Sequence, residues 1–324
     1  MRVAACLAAL AMCALFAAPA GAQTNIFQAP CIPGTTEPLC NVQTAKVTQI
    51  DDGDTLDAHV RGAGIERIRV TGINAMEMHV YNSNPAKQRG DCHALEATAL
   101  LTSLVKRSHN KIRILSVNRL SRAGVRPLRT IQVYIRKSWH DVGNLMISRG
   151  LALWMPSGRE YAWNGQYSFL AQQAASRHVG LWDPTYCGVG PDDDIPIRLN
   201  VRGNAAGDDK INVNGEWVTL TNLGARGLSL GGWWLRDSIT RRYTFPFGVI
   251  VPPGASVRLR VGKGDDDIDT FYWGLDAPVF ENASGPPKNM GDGAYLFDPQ
   301  GDLRAYDMYP CRLACTGGAH VRNI

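Results

Sequence analysis

Two short stretches concentrate polar side chains of the kinds that phosphodiester chemistry needs. One is Asp52-Gly53-Asp54-Thr55. The other runs from Arg69 through Val70-Thr71-Gly72-Ile73-Asn74-Ala75-Met76 to Glu77. Hydrolysis of a phosphodiester requires a hard divalent cation on oxygen ligands, an activated water, and cations that meet charge developing on the phosphate. Asp54 offers a hard carboxylate oxygen. Asn74 can ligate through its carbonyl but brings no negative charge, on which calcium affinity depends. Glu77 can orient or deprotonate water. Arg69 carries the planar fork that grips a phosphate bidentately. A second arginine has to come from the basic stretch that holds Arg119, Arg122, Arg126 and Arg129. Taken alone, Asp-Gly-Asp is an ordinary turn. Trp154, Tyr161 and Trp163 suit either base stacking or a core, and Trp154 is the candidate for contact with a base.

The elements that would position these residues can be read from periodicity. Apolar and β-branched residues alternate over 47–50, 55–60 and 65–73, with Asp52-Gly53 as a hairpin turn. A helix is expected after Asp91, with Leu95, Ala99, Leu100, Leu104 and Val105 near a 3.6-residue period. Strands are expected over 111–117 and 128–135. Short helices should cover 142–149, ending at Gly150, and 168–178, ending at Gly180. Five strands with peripheral helices fit a small OB-type barrel. Beyond Asp192-Asp193-Asp194 no helical period appears. Short β-branched and aromatic runs separated by Gly and Pro indicate an all-β sandwich.

The chain of 324 residues has room for about two domains. Its 45% hydrophobic and 19% charged content excludes a disordered chain. Residues 1–22 read as a signal peptide: Met1-Arg2, an apolar run to Ala18, then the small-residue site Ala20-Gly21-Ala22. Secretion, to a periplasmic or extracellular compartment, is therefore expected. The run is shorter than the roughly 20 residues of a membrane span. Once Cys6 and Cys13 leave with it, six cysteines remain, an even number that suits disulfides. Cys92 and Cys187 flank the expected helices, so a bond between them would pin the end of the first domain to its body. Cys31–Cys40 and Cys311–Cys315 are paired by proximity. No Cys/His spacing suggests zinc. Residues 44–187 carry 19 Lys/Arg against 11 Asp/Glu, whereas 195–324 carry 14 of each. That asymmetry points to a polyanion, DNA or RNA, as partner of the first half. Boundaries are expected at 23–43 (linker or stapled loop), 44–187, 188–196 (linker), 197–311 and 312–324 (tail).

The two chemical motifs, in this order and followed by these strands and helices, resemble the thermonuclease (staphylococcal-nuclease-like) family over about residues 45–182. The resemblance implies a calcium-dependent nuclease. Asp54, Asn74 and Ala75 stand at its metal-binding positions, and Arg69 and Glu77 at its catalytic ones. Arg129 is the second catalytic arginine because it opens a strand as the family's does; Arg126 is the fallback and a substrate-binding candidate. Asn74 replaces the family's second metal-binding aspartate, and Met76 replaces a proline.

Gly215-Glu216-Trp217-Val218-Thr219-Leu220-Thr221-Asn222, the run Leu228-Ser229-Leu230-Gly231-Gly232-Trp233-Trp234-Leu235-Arg236-Asp237, and Val251-Pro252-Pro253-Gly254 resemble the lamin-tail family. This implies an immunoglobulin-like sandwich that binds a protein or envelope partner. The alternative to the enzyme is a non-catalytic nucleic-acid or envelope binding protein on the same two-domain scaffold.

Overall fold

A computed structural model describes residues 26–79, 83, 90–188, 190, 192–313 and 315–318. The stretch expected to be a signal peptide, residues 1–22, lies outside the described residues. The first half contains β1 (Phe27–Pro30), β2 (Leu39–Ile50), β3 (Thr55–Val60), β4 (Gly64–Val70), β5 (Ile73–Asn74), α1 (Ala94–Arg107), β6 (Lys111–Ser116), β7 (Arg122–Ala123), β8 (Arg126–Ile135), β9 (Ser138–Asp141), α2 (Val142–Ser148), β10 (Leu153–Trp154) and α3 (Asn164–Ser176). Strands β2, β3, β4, β8 and β6 pair in that order, and β6 returns to β2, so a five-stranded barrel closes. The β4–β8 pair is parallel, with Arg69 opposite Leu128 and Val70 opposite Arg129. Closure leaves no free edge and buries Leu56, Ile68, Val70, Ile114, Ile131 and Val133 inside.

Residues 27–43 are not a linker. Their Pro- and Thr-rich composition conceals a strand: Cys40 and Val42 alternate into the core, and β2 pairs with both β1 and β6 over this stretch. The Cys31–Cys40 disulfide staples the turn between them. Helix α1 starts at Ala94, and its buried face is Ala94, Ala97, Leu101, Leu104 and Val105. Leu95 and Ala99 face outward, so the expected stripe was rotated by about one position. Helix α2 ends at a left-handed Gly150, as expected. Helix α3 starts four residues earlier than its apolar pattern suggests.

The second half contains β11 (Ile197–Arg202), β12 (Trp217–Asn222), β13 (Leu228–Ser229), β14 (Trp234–Arg236), β15 (Arg242–Thr244), β16 (Ile250–Val251), β17 (Ser256–Arg260), β18 (Thr270–Tyr272), β19 (Asp292–Phe297), β20 (Leu303–Tyr309) and β21 (Thr316–Gly318). One sheet runs β11-β12-β17-β18 and the other β15-β14-β19-β20-β21. Leu199, Leu220, Leu235, Leu259, Phe271 and Leu296 fill the core between them. The expected tail is also corrected: the Cys311–Cys315 bond turns the chain back, and β21 joins the sheet beside β20.

The segment 188–196 is not a loose tether. Asp192 accepts from Arg226 at 2.7 Å and from the Ser229 amide at 3.0 Å, and Asp193 pairs with the buried Arg304. Trp182 packs against Tyr306 and Tyr295 of the second sheet at centroid distances of 4.8 and 6.2 Å. Gln172 of α3 donates to the Pro310 carbonyl at 3.0 Å and accepts from the Arg312 and Leu313 amides. Cys92 and Cys187 are bonded, and the Cys187 amide donates to Asp302 at 2.9 Å. The barrel and the sandwich thus share one apolar, hydrogen-bonded interface.

Candidate active site

The β2–β3 turn brings the first motif to the second. Asp54 donates its amide to Asp52 Oδ1 at 3.0 Å, a local bond that shapes the turn. Gly53 is required by packing: a Cβ there would lie 2.7 Å from the Cβ atoms of both Ala75 and Ala97. That close approach seats Asp54 against β5. Asp54 Oδ2 accepts from the Ala75 amide at 2.7 Å, Oδ1 accepts from Thr55 Oγ1 at 3.1 Å, and Arg69 forms an ion pair with the same carboxylate. Asp54 is 1% exposed.

Arg69 lies one residue before the end of β4, and its guanidinium reaches the Ile73 carbonyl at 3.4 Å. Burial lowers its pKa to about 10, with Arg126 and Arg236 pushing the same way and Asp52 and Glu77 opposing. It remains a cation at neutral pH, with few water molecules to screen it. A cleft of about 700 Å³ opens beside it, lined by Asp52, Thr55, Arg69, Glu77, Arg126 and Met155, and also by Ile239 and Thr240. Burial raises the Asp52 pKa against the opposing charge of Arg69.

Asp54, Arg69, Asn74, Ala75 and Glu77 are therefore brought together. Two other candidates are not. Arg129 lies three residues from Arg126 on β8, so their side chains leave opposite faces of the strand. Arg129 Nη1 donates to the Leu128 carbonyl at 2.7 Å and Nη2 to the Arg119 carbonyl at 2.9 Å, which ties down the 119–121 loop. It lines a separate cavity with Arg61, Arg119 and Arg122. Arg126, whose Nη1 approaches Thr55 Oγ1 at 3.4 Å, is the arginine that shares the cleft with Arg69 and Glu77. Trp154 is fully buried, pairs through β10 with Ile73, and belongs to the core. It offers no face to a base.

Asn74 is fully buried. Its Nδ2 donates to the Ser238 carbonyl of the sandwich at 3.4 Å, and its Oδ1 has no hydrogen-bond partner among the described residues. An orphaned buried oxygen suits a hard cation, but Asp54 and Asn74 together would supply a single negative charge. Among the described residues, the one cluster of three His, Cys or acidic groups close enough to share a metal is Cys92, His93 and Cys187. Its two sulfurs are bonded to each other, so they are not free thiolates.

Residues 198–310 match the family model described as Lamin Tail Domain. The C-terminal unit is similar to the lamin tail domain over this range. Its family motif places Trp233 and Leu235 in the sandwich core, and Trp234 in the apolar cluster shared with the barrel. The residues that follow this motif, Ile239 and Thr240, reach the cleft of the barrel. Sequence reasoning missed them because nothing local marks a loop for contact with a site more than 150 residues upstream. A search of curated proteins finds no match for the chain.

Proposed function

We propose that this chain is a secreted, calcium-dependent nuclease that hydrolyses phosphodiester bonds in DNA or RNA, with a lamin tail domain docked on the catalytic domain. The observation that carries this reading is the convergence of Arg69, Arg126 and Glu77 on one cleft, with the Asp54 carboxylate paired to Arg69. The two motifs resemble the thermonuclease family, and the barrel has the fold that resemblance implies. The three disulfides suit an oxidising compartment. Among the described residues, no helix is long and apolar enough to cross a membrane.

In the mechanism, Arg69 and Arg126 hold the phosphate and stabilise the charge that grows on its oxygens. Glu77 takes the proton of a water whose oxygen attacks phosphorus, while the ester oxygen opposite leaves with its bonding electrons. Asp54 and the Asn74 carbonyl, with Ala75 at the third family position, are the oxygens that would hold calcium, which supplies Lewis-acid polarisation of the phosphate. The Ala75 amide keeps Asp54 turned toward this corner.

The alternative, a binding protein without turnover, draws support from the same corner. Asp54 is satisfied by Arg69, Thr55 and Ala75 within the protein, and Asn74 removes a ligand charge. The deciding experiment incubates the mature chain with single-stranded DNA and RNA, in calcium and in chelator. Calcium-dependent cleavage that falls by about 100-fold or more in Glu77→Gln supports the enzyme. Binding without cleavage in calcium replaces it with the alternative.

A further inference from the structure

The loop after β14 is held more firmly than a surface connection needs. Asp237 Oδ1 accepts from the Ile239 and Arg241 amides, both at 3.0 Å. Arg236 is buried, donates to the Ile239 carbonyl at 2.6 Å, and places its guanidinium against Met76 of the barrel. Ser238 donates its amide to Asp292 at 3.1 Å and receives the Asn74 amide on its carbonyl. Every anchor therefore fixes the loop either to its own sandwich or to the segment that carries Asn74 and Glu77. The tip, Ile239 and Thr240, lines the cleft.

We propose that this loop of the lamin tail domain is a wall of the catalytic cleft and sets the width of nucleic acid that reaches Arg69 and Glu77. The inference rests on the nuclease reading for its ligand and adds to it a specificity-determining role for Ile239 and Thr240. Residues 123–125, at the tip of the β7–β8 hairpin, line the same cleft. A cleft of about 700 Å³ accommodates a short stretch of one strand. A duplex needs more width than one strand, and Ile239 and Thr240 in the lining limit that width. Because the wall is braced by hydrogen bonds to buried carboxylates, it does not yield as a loose loop would. The same arrangement accounts for Asn74. A carboxylate at that position cannot donate to the Ser238 carbonyl, whereas an amide joins the barrel to the wall.

The test uses the full mature chain carrying Glu77→Gln, so that strands stay intact in calcium. Anisotropy titrations compare a single-stranded oligonucleotide with a blunt hairpin duplex of the same sequence. Two variants are added: Ile239→Ala with Thr240→Ala, which lowers the wall, and Ile239→Trp, which thickens it. Melting temperatures establish that each is folded. The expected results are duplex affinity improved at least about fivefold relative to single strand in the first, and single-strand affinity weakened several-fold in the second. An unchanged ratio in the first together with unchanged affinity in the second overturns the wall. Cleavage by the chain with native Glu77 is scored separately. Cleavage without any shift in these ratios leaves the enzyme standing and removes the wall. A shift without cleavage retains the wall and removes the enzyme. A chain that binds neither nucleic acid overturns both.

Discussion

Arg126 and Arg129 sit three residues apart on β8 and serve opposite sides of it: one lines the cleft with Arg69, the other clamps the carbonyls of Leu128 and Arg119. Odd spacing on a strand sends two side chains to different faces, whatever their chemical likeness. Arg126→Ala should lower turnover by on the order of 100-fold, the cost of removing one donor from a developing anion. Arg129→Ala should leave the turnover of folded protein intact and lower the melting temperature, because the carbonyls of Leu128, Arg119 and Ser121 lose its guanidinium as a donor. Steady-state kinetics beside thermal melts separates the two. Equal kinetic losses would return Arg129 to the site.

Asn74→Asp adds a negative charge beside Asp54 and should tighten calcium binding. It also removes the only donor that reaches Ser238 from this position and buries a carboxylate. In chelator the variant should therefore melt lower than wild type, and calcium should restore more stability to it than to wild type. Isothermal titration calorimetry with parallel melts reads both effects. Identical calcium affinity in the two proteins would exclude Asn74 from the ligand set.

Trp154 makes a different kind of prediction. As a fully buried core residue, its replacement by alanine should cost about 3–5 kcal/mol of stability. Chemical denaturation measures that loss. Trp154→Phe, which keeps most of the packing, should bind single strands as wild type does. A large loss of affinity in a stably folded Trp154→Phe would restore the stacking role.

Asp292 braces the wall loop and gives stability a pH dependence. Burial first, then the charge of Asp237, pushes its pKa from 3.8 to about 7. Tyr295, Tyr309, Arg236 and Arg241 act on the same pair. A carboxyl with a raised folded-state pKa binds its proton more tightly in the native state. Its contribution is fully present below the unfolded value and is lost as pH rises through about 7. Asp292→Asn should flatten this slope, with the melting temperature gaining on wild type between pH 5 and pH 8. A parallel pair of curves would show that Asp292 stays ionised in the fold.

Much of this molecule was legible in the amino-acid order because its signals are local. Alternation named the barrel strands, Gly150 and the turn at Asp52-Gly53 marked ends, and the lamin-tail motifs marked the sandwich. The three cysteine pairs expected from their placement are the three that form. Composition misled where a strand hides among prolines and threonines, over 39–43, because its partners β1 and β6 decide it and β6 lies some 70 residues away.

The site divides along the same line. Residue types and order brought Asp54, Arg69, Asn74 and Glu77 into one hypothesis, since the strands that carry them are adjacent in sequence. Which arginine completes them depended on which face of β8 turns toward the cleft, a property of barrel closure. Whether Trp154 meets solvent depended on its pairing with Ile73. That Ile239 and Thr240 of a distant domain border the cleft depended on how two apolar faces, around Trp182 and Tyr306, pack together. Hydrophobic contact is non-directional, so a one-dimensional pattern shows that a face will be buried without showing what will cover it. Local hydrogen-bond geometry and side-chain periodicity are written along the chain, and the partners of a buried face are chosen only when the whole chain has folded.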